Sequence, residues 1–391
     1  MKTVITNGKL ILEDRVLEGF DIVLEAGEIQ RICPSEQTDK TDAQVYDAEN
    51  DYVMPGIIDI HSDMIESYIQ PRSTAIMDFS MGLREAERVL AGCGITTMFH
   101  SISMFREGAW DVKEIRQAPQ VRKLAGLIAG YRHEERLIRH RYHLRYEIDN
   151  LACYDQVKEM IENGCVDLLS FMDHTPGQGQ YRDLEIYKLS YISDEGLSEA
   201  QVEEELHRRM NHETLTLDKI QAAADKAFEK GIAIASHDDD TIEKLDVVQD
   251  FHATISEFPI TMEVCAEAHR RGMLTVVGAP NILLGGSHAG NLTASEAIKE
   301  GIADILCSDY YPASILHAIF MMEHQGQQLP EMVRMATLNP AKAVGIDDQV
   351  GSIEAGKKAD LLIVQELPNH FPAITHVLVD GVIVSETHYR V

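Results

Sequence analysis

Acidic and imidazole side chains occupy every second position in one short segment, PGIIDIHSDM, from Pro55 to Met64. In a β-strand this spacing places Asp59, His61 and Asp63 on one face and the intervening isoleucines on the other. Imidazoles combined with carboxylates are ligands for zinc, manganese or a related divalent cation. A solvated edge strand would show the same alternation, so the segment alone leaves both interpretations open.

Other apolar runs that resemble strands also end in histidine or an acidic residue. These side chains are His100, Glu147, Asp173, His174, His237, Asp238, Asp239, Asp240, Glu257 and Asp309. Buried carboxylates must be paired or bound to a cation, so such strand ends are difficult to explain as ordinary core. One of these histidines alone is more often a hydrogen-bonded structural residue, whereas several at one site favour a metal centre.

Eight predicted strands, with helical segments between most of them, would position these side chains. The strands cover residues 57–63, 95–101, 143–148, 167–174, 232–239, 254–259, 274–280 and 304–310. This alternation predicts an α/β fold, a (β/α)8 barrel of the TIM type over residues 53–345, in which the C-terminal strand ends meet at one mouth. We therefore expect Asp59, His61 and Asp63 to point into the barrel. A doubly wound open sheet is the alternative, but no G-x-G-x-x-G follows the first strand.

Both ends of the chain consist mainly of short β-runs. We expect residues 1–52 and 346–391 to meet in one small composite β-sandwich beside the barrel. The Asn7-Gly8 pair lies between two such runs and predicts a hairpin turn. Within the barrel, Ser198 and Gln201 have capping-box spacing, and Gly231 is placed to end a helix.

Composition narrows the possible partners. The chain has 391 residues, of which 45% are apolar and 25% charged, values typical of a globular enzyme. Its formal net charge of -29 argues against nucleic acid and anionic membranes as partners. No apolar run reaches the roughly 18 residues of a membrane-spanning helix. The six cysteines are scattered without a C-x-x-C pair, which indicates reduced thiols in a cytoplasmic protein. We also expect a homo-oligomer.

The segment PGIIDIHSD resembles PGxIDxHxH, the first-strand metal motif of the amidohydrolase superfamily. Four other segments are similar to that superfamily: GITT, the strand ending in SD at Asp309, LNPAKAVGI and GSIEAGKKADLLIV. A narrower similarity is to PhnM, the phosphonate-metabolism group of the superfamily. It is carried by SFMDHTPGQGQY, IASHDDDT, ISEFP, GAPNILLGGSHAGN and CSDYYPASIL. This resemblance implies hydrolysis of α-D-ribose 1-methylphosphonate 5-triphosphate to the 5-phosphate and pyrophosphate.

The resemblance also implies a metal site with one or two divalent ions, zinc first, with manganese or iron as alternatives. Its expected ligands are His61, Asp63, Glu147, His174, His237 and Asp309. Three features depart from the superfamily pattern: Asp63 replaces the second histidine, DLLSFMDH has no lysine, and Glu257 stands where a histidine is usual. Glu147 is the candidate bridging carboxylate because it closes a strand between Asp63 and His174. A structural glutamate that caps a helix or pairs with Arg145 is the alternative.

Asp309 occupies the superfamily position of the general base. The triphosphate needs cations, and residues 131–145 contain five arginines, although a solvated helix would explain most of them equally well. The glycine-rich run GGSHAGN, residues 285–291, is the better candidate for binding the triphosphate. Its backbone N–H groups can approach phosphate oxygens, and His288 could bind phosphate or act as an acid. The expected substrate-binding residues are Gly285, Gly286, Ser287, His288, Asn291 and Arg182. The alternatives are an amide hydrolase or deaminase of the same superfamily and a non-catalytic subunit of a phosphonate-degrading assembly.

Overall fold

The computed structural model describes residues 2–108, 112–176, 198–210, 212–286 and 291–390. Short strands come first along the chain, followed by strands that alternate with helices, and then by three more strands. They are β1 (Lys2–Thr6), β2 (Lys9–Ile11), β3 (Val16–Leu17), β4 (Phe20–Glu25), β5 (Glu28–Pro34), β6 (Ala43–Asp47), β7 (Tyr52–Pro55), β8 (Ile57–Ser62), β9 (Ile95–Met104), β10 (Arg139–Glu147), β11 (Leu168–Met172), β12 (Ala233–His237), β13 (Ile255–Glu257), β14 (Leu274–Gly278), β15 (Ile305–Cys307), β16 (Leu361–Leu367), β17 (Phe371–Val379) and β18 (Val382–Glu386).

Strands β8 to β15 form one parallel sheet in chain order. The sheet closes on itself, because the N–H of Asp309 donates to the carbonyl of His61 at 3.0 Å and the N–H of Asp63 donates to the carbonyl of Asp309 at 2.9 Å. The predicted (β/α)8 barrel is confirmed, and its eight strands overlap the eight predicted ones. The open-sheet alternative is wrong.

Helices follow most of the barrel strands. Several begin at a residue whose side chain accepts a backbone N–H: Asp78 accepts from Met81 at 2.9 Å, and Thr261 accepts from Val264 at 3.2 Å. The described helices are α1 (Ile65–Ile69), α2 (Phe79–Gly92), α3 (Ala118–Tyr131), α4 (Tyr154–Glu162), α5 (Glu199–Met210), α6 (Leu217–Glu229), α7 (Ile242–Asp250), α8 (Met262–Arg270), α9 (Ala279–Leu284), α10 (Ala294–Lys299), α11 (Ser314–His324), α12 (Leu329–Ala336) and α13 (Leu338–Ala343). Short 3₁₀ turns cover Ser35–Gln37, Glu114–Arg116 and Leu151–Cys153.

Two helix-boundary predictions are confirmed. Gln201 accepts hydrogen bonds from the backbone N–H and the hydroxyl of Ser198 at the start of α5. Gly231 follows α6 with φ +71°, a left-handed conformation that suits glycine at a helix end. None of the helices in the described ranges is long and apolar enough to cross a membrane.

The remaining strands form two sheets, ordered β5-β4-β1-β6 and β18-β17-β16-β7-β2-β3. The second contains strands from both ends of the chain, since β7 pairs antiparallel with β16. One buried apolar cluster contains side chains from both sheets, including Ile5, Ile22, Leu361 and Ile363. The composite β-sandwich is therefore confirmed.

The hairpin predicted at Asn7-Gly8 is wrong. Asn7 does adopt a left-handed turn conformation, with φ +56°. The strands on either side, however, belong to different sheets: β1 pairs with β4 and β6, whereas β2 pairs with β3 and β7. The turn carries the chain from one layer of the sandwich to the other.

The barrel interior has an apolar layer. Residues from seven of its strands form one buried cluster: Ile58, Ile60, Phe99, Leu168, Ala235, Ile255, Val276, Ile305 and Cys307. Polar residues that lie two positions beyond several of these, such as Ser170, His237 and Glu257, are also buried. Because alternate residues of a strand share a face, these polar residues lie one layer nearer the C-terminal mouth.

Candidate metal centre and active site

A cavity of about 560 Å³ opens at the C-terminal ends of the barrel strands. The structure brings together around it all six residues predicted as metal ligands. They are His61, Asp63, Glu147, His174, His237 and Asp309.

Strand β8 reaches this cavity by a route that simple alternation does not predict. Its pairing with β9 is regular at Asp59 and resumes at Ser62 after one extra residue, which is the signature of a β-bulge. Asp59 does not line the cavity: its carboxylate accepts hydrogen bonds from the N–H and hydroxyl of Ser308. The prediction that Asp59, His61 and Asp63 share one face is therefore wrong. The bulge interrupts the alternation between Asp59 and Ser62, so His61 lines the cavity and Asp59 does not.

A fully buried carboxylate, Glu257 on β13, lies between two of the predicted ligands. Its Oε1 is 2.8 Å from Nδ1 of His61, and its Oε2 is 3.3 Å from Nδ1 of His237. The hydroxyl of Ser170 donates to Oε2 at 3.0 Å. Burial alone would raise the pKa of Glu257, but His61 and His143 beside it hold the pKa well below its usual range. Burial also keeps the pKa of His237 well below its ordinary value.

These residues fit a divalent cation. Ligand atoms of His61, His237 and Glu257 all lie within 4.8 Å of one another. His174, His237 and Asp238 form a second group with the same spacing, so His237 belongs to both. A neutral imidazole beside an ionised carboxylate is the donor set that a divalent transition metal binds. Two neighbouring groups with a shared histidine are compatible with one ion or two.

Glu147 and His174 form a pair at the edge of this cluster. Nδ1 of His174 lies 2.8 Å from Oε1 of Glu147. Burial lowers the pKa of His174, but the Glu147 carboxylate outweighs burial and leaves that pKa above its ordinary value. Glu147 is itself buried and ends β10. Glu147 therefore contacts His174, one of the other predicted metal ligands.

Asp63 and Asp309 meet at the seam where β8 and β15 close the barrel. The guanidinium of Arg116 donates to Asp63 at 3.2 Å. Burial and the neighbouring Glu66 raise the pKa of Asp63. Asp309 has φ +58°, a left-handed conformation that aspartate tolerates better than most residues. Its backbone N–H donates to His61 of β8, and its carbonyl accepts from Asp63 just after that strand. This fixed backbone holds the Asp309 carboxylate at the cavity wall.

Among the described residues, three arginines line the same cavity: Arg106, Arg116 and Arg145. Arg106 donates to Asp149 at 2.9 Å and lies 2.8 Å from Nε2 of His212. Nη2 of Arg145 lies 3.5 Å from Nε2 of His237, and its buried Nε has no hydrogen-bond partner among the described residues. In a chain of net charge -29, this is a local concentration of positive charge.

The other arginines of residues 131–145 have structural partners outside the cavity wall. Arg132 and Arg141 pair with Asp167. Arg136 stacks over Tyr131, and Arg139 pairs with Asp360 and Asp380. The solvated helix considered for this segment is wrong beyond α3, because residues from Arg139 onward form the barrel strand β10.

The glycine-rich run is only partly described. Gly286 and Asn291 line the cavity. Gly285 ends α9 with φ +77°, so a short helix separates this run from β14. Ser287 and His288 lie outside the described residues, as does Arg182.

Comparison with known proteins identifies the family. The model of the amidohydrolase family matches residues 208–384. The α-D-ribose 1-methylphosphonate 5-triphosphate diphosphatase of Escherichia coli (strain K12) is 32% identical over 387 residues, which cover 97% of this chain and 99% of that protein. The chain belongs to the amidohydrolase family.

Solved structures of other proteins share this fold over nearly their full length. A Xaa-Pro dipeptidase with bound methionine superposes with a TM-score of 0.66 at 15% identity, covering 99% of this chain and 100% of that one. N-acetylglucosamine-6-phosphate deacetylase from Pasteurella multocida gives a TM-score of 0.62 at 13% identity, covering 97% and 99%. The resemblance to the superfamily, and within it to PhnM, is confirmed.

Sequence reasoning missed several cavity residues of this amidohydrolase. Arg106 and Arg116 come from the segment after β9, where no sequence motif marks them. Asp238 was visible as a strand end but was not chosen as a ligand. Glu257 was noted as a departure from the histidine usual at that strand, and its place between His61 and His237 makes it a ligand candidate.

Proposed function

We propose that this amidohydrolase hydrolyses α-D-ribose 1-methylphosphonate 5-triphosphate to the 5-phosphate and pyrophosphate. The oxygen of a water molecule bonds to the α-phosphorus, and the bond from that phosphorus to the α–β bridging oxygen breaks. The similarity to the Escherichia coli diphosphatase over the whole chain supports this choice of substrate.

One observation carries the proposal. The imidazole and carboxylate cluster and the three arginines line one cavity, although the chain as a whole is strongly acidic. A triphosphate brings several negative charges, and arginine binds phosphate oxygens through two parallel hydrogen bonds. Hydrolysis of a neutral amide would not require such a concentration of arginine.

His61, His237 and Glu257 would hold a divalent cation, with His174 and Asp238 beside it. When bound, the cation supplies Lewis-acid chemistry and lowers the pKa of water from about 15.7 toward about 7. We expect zinc, with manganese or iron as alternatives. Asp309 lines the cavity, and we propose that it accepts the proton of the attacking water. We propose Glu147 as a further carboxylate that orients His174 or bridges two ions.

The arginines would hold the phosphate chain. Arg145 has an unused Nε donor, and Arg106 is held in place by Asp149 and His212. Both can neutralise charge that builds up on pyrophosphate as it leaves. We propose Gly285, Gly286, Ser287, Asn291 and Arg182 as further phosphate contacts, and His288 as the acid that protonates the leaving group.

The test is a product assay. Protein loaded with zinc, manganese or iron is incubated with the ribose triphosphate, and pyrophosphate and orthophosphate are measured separately at early times. We expect pyrophosphate first and in equal amount to the 5-phosphate, and we expect chelation to abolish its release. Orthophosphate as the first product would place the attack at the terminal phosphorus and contradict the proposal.

We also propose a cytoplasmic homo-oligomer. All six cysteines are free thiols, which suits a reducing compartment. Light scattering coupled to size exclusion should give a mass above the 43.8 kDa of one chain. A mass equal to one chain at working concentration would contradict the oligomer.

A further inference from the structure

Apart from the two groups in the barrel, a further group of side chains that can bind a metal ion lies on the surface. It is found where α11 ends near the turn between β16 and β17. Nε2 of His324 is 3.2 Å from Oε1 of Glu366, and Nδ1 of His370 is 2.5 Å from the same oxygen. The two imidazole rings are 4.4 Å apart between centroids and inclined by 63°. Ligand atoms of all three residues lie within 4.8 Å of one another.

We propose that His324, Glu366 and His370 form a binding site for a divalent transition-metal ion of the zinc type, separate from the barrel centre. None of the three lines the barrel cavity. Two imidazoles and one carboxylate are a common set of three protein ligands for zinc, with water in the fourth position. The carboxylate of Glu323, 3.3 Å from Nε2 of His324, adds negative charge beside the site.

The spacing requires little movement. Ligands about 2.1 Å from a tetrahedral ion lie roughly 3.4 Å from one another. The distance from His324 to Glu366 already matches that value, and the shorter distance from His370 must open by less than 1 Å. The His370 side chain is 73% exposed, so its ring can rotate by that amount without disturbing the core.

The site would connect the two domains. His324 belongs to a barrel helix, whereas Glu366 and His370 belong to the hairpin of β16 and β17 in the sandwich. A second contact lies beside it, where the rings of His317 and Phe371 pack at 4.8 Å. The unfolded chain does not hold the three ligands together, so an ion bound here stabilises the folded state through linkage.

The test counts ions in the full chain. Metal-stripped protein is dialysed against a series of buffered free Zn²⁺ concentrations, and bound zinc is measured by elemental analysis. The variants are His370→Asn, chosen because asparagine tolerates the left-handed backbone at φ +59°, and His324→Gln. His269→Gln is the control, since it removes a half-exposed imidazole that contacts one carboxylate, Asp304.

We expect the parent and the control to bind one zinc ion per chain more than either variant. The zinc ion at His324, Glu366 and His370 should raise the Tm of the parent. We expect both variants to lose this increase. Circular dichroism establishes that the variants are folded. Glu366→Gln keeps the side chain's shape and should weaken binding of that ion by at least tenfold. Equal zinc content in the parent and the folded variants would overturn the proposal.

Discussion

The Asp309 side chain lies where the barrel closes, and its backbone forms hydrogen bonds with His61 of β8 and with Asp63 just after that strand. Asp309→Asn should leave this backbone in place, because asparagine tolerates the same left-handed conformation. The variant cannot accept the proton of the attacking water. We expect kcat to fall by about 10² to 10⁴, the usual scale for losing a positioned base.

Steady-state kinetics with metal-loaded protein would measure this fall, and elemental analysis would check that the variant retains its metal. Asp348→Asn is the matched control, because Asp348 is exposed and lies outside the cavity. A variant that keeps both its metal and the parent kcat would show that another group accepts the proton.

Arg145 lines the cavity, and its buried Nε has no hydrogen-bond partner among the described residues. Arg145→Met keeps most of the side-chain length but removes the charge and the hydrogen bonds. We expect KM for the triphosphate to rise at least tenfold, with a smaller change in kcat. Arg141→Met on the same strand is the control, since Arg141 pairs with Asp167 and does not line the cavity. Equal effects of the two variants on KM would exclude a phosphate contact at Arg145.

Most of the candidate site could be predicted from single residues, because strand ends in a parallel barrel converge. The exceptions have physical reasons. Asp59 lies outside the cavity because one extra residue in β8 shifts the alternation, and a bulge of this kind has no mark in PGIIDIHSDM. Arg106 and Arg116 reach the cavity through the path of the segment after β9, and the path of a loop is not encoded in the periodicity that identifies strands.

At the scale of elements, Gly56 lies just before β8 and packs against Thr96 of β9. A Cβ added there would lie 2.3 Å from Oγ1 and 2.4 Å from Cγ2 of Thr96. Thr96 is buried within β9, so its side chain has little room to move away. Gly56→Ala should therefore reduce the free energy of unfolding by about 1–3 kcal/mol, the usual cost of overpacking.

Urea denaturation followed by circular dichroism would measure the effect of Gly56→Ala. Gly92→Ala is the matched control, because nothing lies within 4 Å of its added Cβ and the residue is helical. Alanine should leave stability unchanged or raise it slightly there. Equal free energies of unfolding in the two variants would show that a Cβ at position 56 can be accommodated beside Thr96 without cost.

A buried chain of side chains links β9, β10 and α2. Nε2 of His100 lies 2.8 Å from Nδ1 of His140, whose Nε2 lies 3.1 Å from Glu87. Burial keeps the pKa of His100 well below its ordinary value of 6.5, and burial also lowers the pKa of His140. Both rings are therefore neutral in the folded protein at neutral pH, whereas the unfolded chain would protonate them near pH 6.5.

This difference predicts how stability changes with acid. Below about pH 6.5 the unfolded chain binds a proton at His100 that the folded protein does not, so acid favours unfolding by about 1.4 kcal/mol per pH unit. His100→Gln should reduce the slope of unfolding free energy between pH 6 and pH 5 by roughly that amount. The exposed His388→Gln should keep the parent slope. Identical slopes in His100→Gln and the parent would contradict the assignment.

The elements themselves were largely predictable, because period and composition identify strands and helices locally. Which strands pair with one another is harder to predict, because pairing depends on parts of the chain that are distant in sequence. Asn7-Gly8 has the residues of a hairpin turn, yet β1 pairs with β4 and β6 of one sheet, and β2 pairs with β3 and β7 of the other. Between β14 and the glycine-rich run that begins at Gly285, residues 279–284 form the short helix α9, with proline in its first turn.

At the scale of the whole molecule, Arg139 joins the barrel to the sandwich. Arg139 is the first residue of β10, and its guanidinium pairs with Asp360 just before β16 and with Asp380 at the turn after β17. The side chain of Asp360 is 3% exposed. Burial raises the pKa of this carboxyl, and Arg139 opposes the rise.

Arg139→Met would leave the buried Asp360 without its guanidinium partner. Removing one member of a buried ion pair costs about 3 kcal/mol or more, so we expect a loss of that order in the free energy of unfolding at pH 7.5. Without Arg139 the pKa of Asp360 in the folded protein should rise further above that of the unfolded chain. The carboxyl is then neutral at lower pH, and the loss should be smaller at pH 5 than at pH 7.5. Urea denaturation at both values measures the difference, with Arg141→Met as the control. A loss that is equal at the two pH values would mean that Arg139 acts through packing and not through its charge.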